Sequence, residues 1–330
     1  MTHKLGAAGP EVSRIGLGCM GMSGMYGPAD EAESIATIHA ALDAGINLLD
    51  TGDFYGMGHN EMLIGRALEG RARDQVLLSV KFGAQRGPDG GWLGSDTRPA
   101  AVKTAAAYSL QRLRTDHIDI YRPARLDPNV PIEETVGAIA ELIDAGYVRC
   151  VGLSEVGAET IRRAAAVHPV CDLQIEYSII SRSVETTILP ACRELGIAIT
   201  AYGVLSRGLI SGHWSPDRSL DARDFRSRAP RFQGENLEHN LALVDRLREI
   251  SASKGASVAQ IAIAWVLSRG GDIVPLIGAR RRDRLAEARG AVELELTAED
   301  LELIERAVPA DAAAGTRYDP AQMAALDSER

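Results

Sequence analysis

Eight short apolar runs constrain this chain more than any other feature. Residues 15–18, 46–50, 76–81, 118–121, 148–152, 172–176, 197–201 and 273–277 each read as a buried strand. Between them lie stretches with helical spacing: Ile35, Ile38 and Leu42; Ile132, Val136, Ile139 and Ile143; Leu237, Leu241, Val244, Leu247 and Ile250. Asp30 with Glu33, Pro99 after Thr97, and Thr297 with Asp300 supply helix starts. Strands that alternate with helices, with no proline-rich linker between, imply a parallel sheet with its helices outside, and eight such units close a (β/α)8 barrel. The whole chain, 1–330, is therefore expected to be one α/β TIM-barrel domain. Residues 1–14 read as an N-terminal β-hairpin plug. Two segments exceed ordinary connection lengths: 203–235, a long loop after the seventh strand, and 309–330, a C-terminal tail expected over the barrel mouth.

Composition narrows the partners. A formal net charge of -9 argues against general binding to nucleic acid or an anionic membrane, and no apolar run approaches the roughly 18 residues that suggest a spanning helix. Cys19, Cys150, Cys171 and Cys192 show no CxxC or zinc-like spacing, so reduced thiols and a cytoplasmic location are expected. His39, His117, His168, His213 and His239 form no HxxxH or HExxH pattern, and no metal is expected. The chain has neither a GxSxG elbow nor a P-loop, which leaves acyl and phosphoryl transfer without support. Monomer and homo-oligomer are equally compatible with this composition.

In a barrel the chemistry sits at the C-terminal ends of the strands. Asp50, Lys81, Ser154 and Tyr202 all fall there, with Tyr55 just beyond. Only four of the 36 basic residues are lysines (4, 81, 103 and 254), which makes Lys81 at the end of an apolar strand conspicuous. An ammonium beside a phenol favours the phenolate and lowers its pKa, while a carboxylate behind the lysine holds that charge in place. Asp50, Lys81 and Tyr55 thus read as a proton-transfer group. Gly16, Gly18 and Gly21 satisfy GxGxxG, but the helical pattern begins only near Glu31, so the segment reads as a barrel loop rather than a dinucleotide fingerprint. After the last strand, Arg280, Arg281, Arg282 and Arg284 mark a place where a phosphate would meet guanidinium groups and a helix start. Tyr202 suits stacking on a planar ring or capping the mouth.

The chain resembles the aldo-keto reductases through Asp50-Thr51-Gly52-Asp53-Phe54-Tyr55-Gly56, Val80-Lys81-Phe82-Gly83, Gly152-Leu153-Ser154-Glu155, Ala201-Tyr202 with Leu205-Ser206-Arg207-Gly208, and Asp127-Pro128-Asn129-Val130-Pro131. The likeness covers essentially the whole chain. It implies NADPH (NADP+ in the reverse direction) lying across the barrel mouth and an aldehyde or ketone substrate, with Tyr55 as general acid and Lys81 and Asp50 behind it. It further implies that Ser154 and Gln174 hold the nicotinamide carboxamide and that Tyr202 stacks on the ring. Gly21, Met22, Asp50 and the loop Leu205, Ser206, Arg207, Gly208 and Leu209 would line the cofactor, the loop resembling a pyrophosphate-binding segment. Ile277, Gly278, Ala279, Arg280, Arg284 and Glu287 would meet the adenosine end.

The chain departs from the family pattern at three positions. Ala124 stands where relatives carry a histidine that orients the substrate carbonyl, and Ala279 and Ala288 replace polar residues near the adenosine. Losing one donor at a developing alkoxide costs a factor on the order of 10² in rate. Either a water or a bulkier substrate group fills the space beside Ala124, with Arg122 close in sequence to add charge, or turnover is slow. The resemblance thus implies a carbonyl reductase, with a slow-turnover redox-sensing or regulatory subunit of the same fold as the alternative.

Overall fold

In the computed structural model, residues 2–215, 217–218, 220–221 and 224–330 are described. The chain opens with a hairpin, β1 (Thr2–Lys4) and β2 (Glu11–Ser13), followed by β3 (Gly16–Gly18), β4 (Leu48–Gly52) and β5 (Leu77–Phe82). A short ribbon of β6 (Ala84–Arg86) and β7 (Trp92–Ser95) interrupts the alternation. The remaining strands are β8 (Ile118–Pro123), β9 (Val148–Ser154), β10 (Val170–Glu176), β11 (Ala198–Tyr202) and β12 (Ile273–Ile277). Strands β3, β4, β5, β8, β9, β10, β11 and β12 close into one barrel, paired parallel throughout, so all eight apolar runs became barrel strands.

Helices Glu31–Asp43, Ile132–Asp144 and Gly234–Ser253 carry the three helical patterns read from the sequence. Asp30 caps its helix by accepting from the Glu33 amide, Thr297 and Asp300 form a reciprocal capping box, and Pro99 occupies the first turn of Pro99–Leu113. The ribbon β6–β7 was not expected. Its exposed Trp92 and Leu93 give it no buried face from which periodicity could arise.

The two-residue period of the strands separates two environments. Outward residues such as Leu49, Leu78, Val80, Tyr121, Val151, Leu153, Leu173, Ile175 and Ile199 join the large core under the helices. Inward residues form layers along the axis. At the N-terminal end Leu48, Leu77, Ile120, Ala198, Val274 and Leu276 make an apolar floor, which Leu5 and Val12 of the hairpin close from below. Residues 2–14 are therefore a plug, as the sequence reading expected. Gly16 belongs to this floor. A Cβ there would stand 2.7 Å from Leu276 Cδ2 and 2.9 Å from Leu48 Cδ2, so the first glycine of the GxGxxG pattern serves barrel packing.

Above the floor the inward positions turn polar. Arg122 Nη2 of β8 donates to both oxygens of Asp172 of β10, at 3.0 Å each, and Thr200 of β11 also donates to Asp172. Both charged side chains are fully buried. Arg122 therefore points into the barrel and away from the place beside Ala124 that its sequence position suggested. A Cβ on Gly152 would come within 2.9 Å of Arg122 Nε and 2.8 Å of Asp172 Oδ1, so glycine at that position makes room for the pair.

The tail crosses the mouth, as expected, and is locked there by charge. Arg317 donates to both oxygens of Glu155 (2.8 and 2.6 Å) and its Nε donates to Glu329 (2.8 Å). Ser328 donates to Glu155 (2.7 Å), and the Gly157 amide donates to Asp327 (2.8 Å). Burial pushes the Glu155 carboxyl up, but the Arg317 guanidinium, Arg125 and Ser328 outweigh it and hold the group down at about 2. Folded Glu155 thus titrates below its ordinary 4.5. Its contribution is complete above that ordinary value and is lost as pH falls towards 2. We expect Arg317→Ala to cost about 3–5 kcal/mol, the typical loss on breaking a buried pair, read as a lowered urea midpoint at pH 7. Glu155→Gln should flatten the loss of stability between pH 4.5 and 2, and an acid limb unchanged by this substitution would show that Glu155 does not govern the latch.

Candidate active site

The centre of the mouth is built from inward positions of neighbouring strands. Asp50 lies on β4, Ser79 and Lys81 on β5, and Gln174 on β10. Lys81 Nζ donates to Asp50 Oδ1 at 2.5 Å, while Ser79 Oγ (2.9 Å) and Gln174 Nε2 (2.7 Å) donate to Asp50 Oδ2. Lys81 is only 3% exposed. Three donors on one carboxylate offset its desolvation, which is the condition under which such a buried pair is tolerated. Burial lowers the Lys81 pKa and Asp50 opposes that shift.

Tyr55 follows β4 on a turn whose ring packs edge-on against Phe54, 4.8 Å between centroids. Lys81 Nζ stands 5.1 Å from the Tyr55 ring centroid. The three residues read from the sequence as a group do come together. The electrostatics differ from the expectation, however. Burial pushes the Tyr55 phenol well above its ordinary range, Asp50 and Tyr26 add to the shift, and Arg125 alone among the major neighbours opposes it. The expected depression by Lys81 is absent because that ammonium is neutralised at 2.5 Å by Asp50. The result is a phenol held protonated at neutral pH, the form a proton donor requires.

Ala124 is buried at the end of β8, its amide donating to the Phe82 carbonyl at 2.8 Å. The cation nearest to it on the mouth side is Arg125, whose guanidinium donates to the Ala124 carbonyl (2.6 Å) and to the Tyr318 hydroxyl (3.3 Å). Sequence proximity favoured Arg122; strand alternation instead sent that side chain to Asp172. On the far side of Tyr55, Trp92 stands 5.7 Å from Phe54 and carries Arg86 over its ring at 3.9 Å, which makes one wall of the mouth aromatic.

Of the residues expected around a cofactor, Ser154 and Gln174 are buried at the ends of adjacent strands β9 and β10 and are paired in register. Tyr202 ends β11, and its hydroxyl donates to Glu155 at 2.7 Å and meets the Tyr318 hydroxyl at 2.9 Å. The segment after it turns sharply. Ser206, Arg207 and Gly208 all have left-handed φ (44°, 57° and 96°), a strain of about 1–3 kcal/mol at each non-glycine position, of the kind that clusters at functional sites. Ser206 Oγ is buried with no partner, while Leu209 is fully buried. Arg207 turns back into the mouth, where it donates to Glu176 (2.9 Å) and to the Arg317 carbonyl (3.0 Å).

Gly21 and Met22 lie on a single 3-10 turn after β3, with Met22 buried. No helix opens at the glycines, in agreement with rejecting the dinucleotide fingerprint. After β12, Ile277 and Ala279 are buried, and a Cβ on Gly278 would meet nothing within 4 Å. Arg280 donates to the carbonyls of Tyr26, Gly27 and Pro28, the shortest at 2.9 Å. Arg284 lies 2.5 Å from His213 Nε2 and 3.2 Å from Glu287. Since Glu287 also reaches that imidazole nitrogen at 2.8 Å, His213 either accepts from Arg284 or donates to Glu287. Arg280 and Arg284 thus follow the same strand but face different neighbours. Arg281 pairs with Asp283 and Arg282 with Glu33.

Glu155, Glu176, Arg125, Arg317 and Tyr318 were given no role from the sequence, yet they close the mouth. Two of them left a signal. Glu176 is the next inward residue after Gln174, and Glu155 directly follows Ser154. The other side of the contact lies in the tail, more than a hundred residues away. Among the described residues no group of three or more His, Cys, Asp or Glu is arranged to hold a metal ion, and no single helix is long and apolar enough to cross a membrane.

Comparison with known proteins agrees with this geometry. The family model described as "Aldo/keto reductase family" matches residues 14–309. A curated protein from Glycine max, "Probable aldo-keto reductase 1", is 42% identical over 318 residues, covering 96% of this chain and 91% of its own. Among solved structures, the glycerol dehydrogenase AKR11B4 from Gluconobacter oxydans superposes with a TM-score of 0.84 at 30% identity, covering 93% of this chain and 94% of that one. The holo form of the aldo-keto reductase AKR11C1 from Bacillus halodurans gives a TM-score of 0.77 at 30% identity, with 94% and 96% covered. With a tyrosine, lysine and aspartate at the mouth of a matching barrel and a family match across nearly its whole length, the chain belongs to the aldo/keto reductase family of oxidoreductases.

Proposed function

We propose that this protein reduces an aldehyde or ketone to the alcohol with NADPH, and that Tyr55 delivers the proton. The observation that carries this reading is the buried Tyr55–Lys81–Asp50 group at the barrel mouth, with its phenol kept protonated. When bound, the dihydronicotinamide supplies a hydride from C4 to the carbonyl carbon. The residues present fit such a cofactor. The partnerless Ser206 hydroxyl, on a strained turn, suits a phosphate oxygen, and the polar ends of Ser154 and Gln174 suit a carboxamide. Tyr202 offers a ring face for stacking, with Gly21, Met22 and Leu205 beside it in the lining, and Arg280 and Arg284, with Glu287, are the candidates for the adenosine 2′-phosphate end.

In this assignment Tyr55 donates its hydroxyl proton to the substrate oxygen as negative charge builds there. Burial and Asp50 keep the proton on the Tyr55 phenol until the substrate oxygen gains alkoxide character and becomes basic enough to take it. Lys81 becomes more effective as charge appears on the phenol, since the ammonium lies within the barrel, where the field is poorly screened. Asp50 fixes the lysine, and Gln174 and Ser79 fix Asp50. Trp92 and Phe54 exclude water from one side. The alternative of a slow regulatory subunit is favoured by Ala124 and by the tail that closes over Tyr202.

Tyr55→Phe should bind NADPH near normally, by fluorescence titration, while its kcat for a panel of aldehydes falls about 10²–10⁴-fold. Retention of most of the rate would remove Tyr55 as the acid. An unmutated protein that binds NADPH but turns over none of the panel would favour the regulatory alternative. NADPH should also bind about 10-fold or more tightly than NADH, because a 2′-phosphate adds charge-assisted hydrogen bonds. Arg284→Ala should shrink that ratio, and an unchanged ratio would place the phosphate elsewhere.

A further inference from the structure

Most arginines at the mouth hold a carboxylate, while Arg86 stacks on Trp92 and Arg280 donates to three backbone carbonyls. Arg207 reaches Glu176 (2.9 Å), Arg226 reaches Asp224 (2.6 Å), Arg231 reaches Glu176 (3.4 Å) and Arg317 reaches Glu155 (2.6 Å). Arg125 reaches no carboxylate within 4 Å among the described residues. Its guanidinium has five N–H donors, and the acceptors shown are only the Ala124 carbonyl and the Tyr318 hydroxyl. The Tyr318 ring lies 5.8 Å away. Burial opposes its charge, and Tyr318, Tyr202 and, from beyond 4 Å, the Glu155 carboxylate support it, but three of its five N–H donors face no acceptor shown, so an anion beside it gains paired, charge-assisted hydrogen bonds.

The position of this cation is as informative as its charge. Arg125 follows Ala124 directly, at the end of β8, where the absent imidazole leaves a methyl-sized side chain. It acts on Tyr55 as the one major neighbour that lowers the phenol pKa. In the strand order of the closed barrel β8 lies diametrically opposite β12, the strand that leads to Arg280 and Arg284. An anion at Arg125 is therefore distinct from a phosphate held after β12. It lies on the side of the mouth where the reacting carbonyl would face Tyr55.

We propose that Arg125 is the anchor for a carboxylate on the carbonyl substrate, so that this protein selects aldehydes or ketones that carry an acid group. This specificity rests on the carbonyl-reductase reading above. The aromatic wall of Phe54 and Trp92 accepts the body of such a molecule, Arg125 holds its carboxylate, and Tyr55 meets its carbonyl. Anchoring through a remote charge also supplies the orientation that the missing imidazole would otherwise give.

The test compares two substrates of one shape: 4-carboxybenzaldehyde and its neutral methyl ester, methyl 4-formylbenzoate, each reduced with NADPH. The unmutated protein should favour the acid over the ester by about 10-fold or more in kcat/KM, mainly through KM, as expected for a charged hydrogen-bonded pair. Arg125→Ala should bring the acid-to-ester ratio close to one, and Arg125→Lys, which keeps the charge, should restore part of it. If the unmutated protein shows no preference, or if Arg125→Ala lowers acid and ester equally, the carboxylate site is wrong although the reductase reading stands. Terephthalate titrated by calorimetry without turnover separates the other failure. Binding that weakens on Arg125→Ala in a protein that reduces neither aldehyde would keep the anion site and overturn the reductase reading. Terephthalate binding that is absent, or indifferent to Arg125→Ala, in such a protein overturns the site as well.

Discussion

The salt bridge between Lys81 and Asp50, buried on the barrel axis, is the interaction around which the rest of this protein is arranged. Two charges removed from water carry a penalty of several kcal/mol each, and proximity offsets it only when the remaining lone pairs are also satisfied. Ser79 and Gln174 provide those bonds from β5 and β10, strands separated by β8 and β9 in the barrel order. The pair thus requires the closed barrel, and the closed barrel requires an axis filled by polar groups that are mutually paired. Asp172 in the same layer is satisfied by Arg122 Nη2 and Thr200, although Arg122 Nε and Nη1 are buried without a partner. Beneath them Leu5 and Val12 of the hairpin complete an apolar floor that keeps water from the lower end.

The surroundings of this pair also explain why the Tyr55 phenol stays protonated. Had Lys81 been unpaired, its field would have favoured the phenolate. Burial raises the phenol pKa, and Asp50 and Tyr26 add to that shift, while Asp50 also holds Lys81 at 2.5 Å. In the proposed reaction the lysine matters most in the transition state, when the phenol loses its proton and gains a charge that the ammonium attracts. A neutral ground state with a preorganised cation nearby is the arrangement in which electrostatic catalysis is most effective.

Charge also organises the top of the barrel. Glu155 and Glu176 sit at neighbouring strand ends and draw Arg207, Arg231 and Arg317 onto themselves, which brings the long loop and the tail over Tyr202. Arg226 is held in the same loop by Asp224. Arg125, beside Ala124, has no carboxylate within 4 Å among the described residues and bonds the Ala124 carbonyl and the Tyr318 hydroxyl instead.

The sequence by itself determined the strand count, the β/α alternation, the hairpin plug and the helix caps. All are local periodicities or short-range hydrogen bonds that neighbouring residues specify. It also placed Asp50, Lys81, Ser154 and Tyr202 at strand ends, because a period of two and a parallel barrel fix which residues face the mouth. Tertiary structure decided the rest. Arg122 turns inward on β8 to Asp172, while Arg125, beyond the end of that strand, reaches the Tyr318 hydroxyl of the tail, so sequence proximity to Ala124 did not show which cation stands at the mouth. The upward shift of the Tyr55 phenol comes first from burial and then from Asp50, and both follow from the closed barrel rather than from any spacing in the chain. The union of Glu155 with Arg317, separated by 162 residues, follows from where the tail crosses the closed barrel. Contacts between distant segments are decided by which charges the fold brings together and by the cost of leaving any of them buried and unpaired.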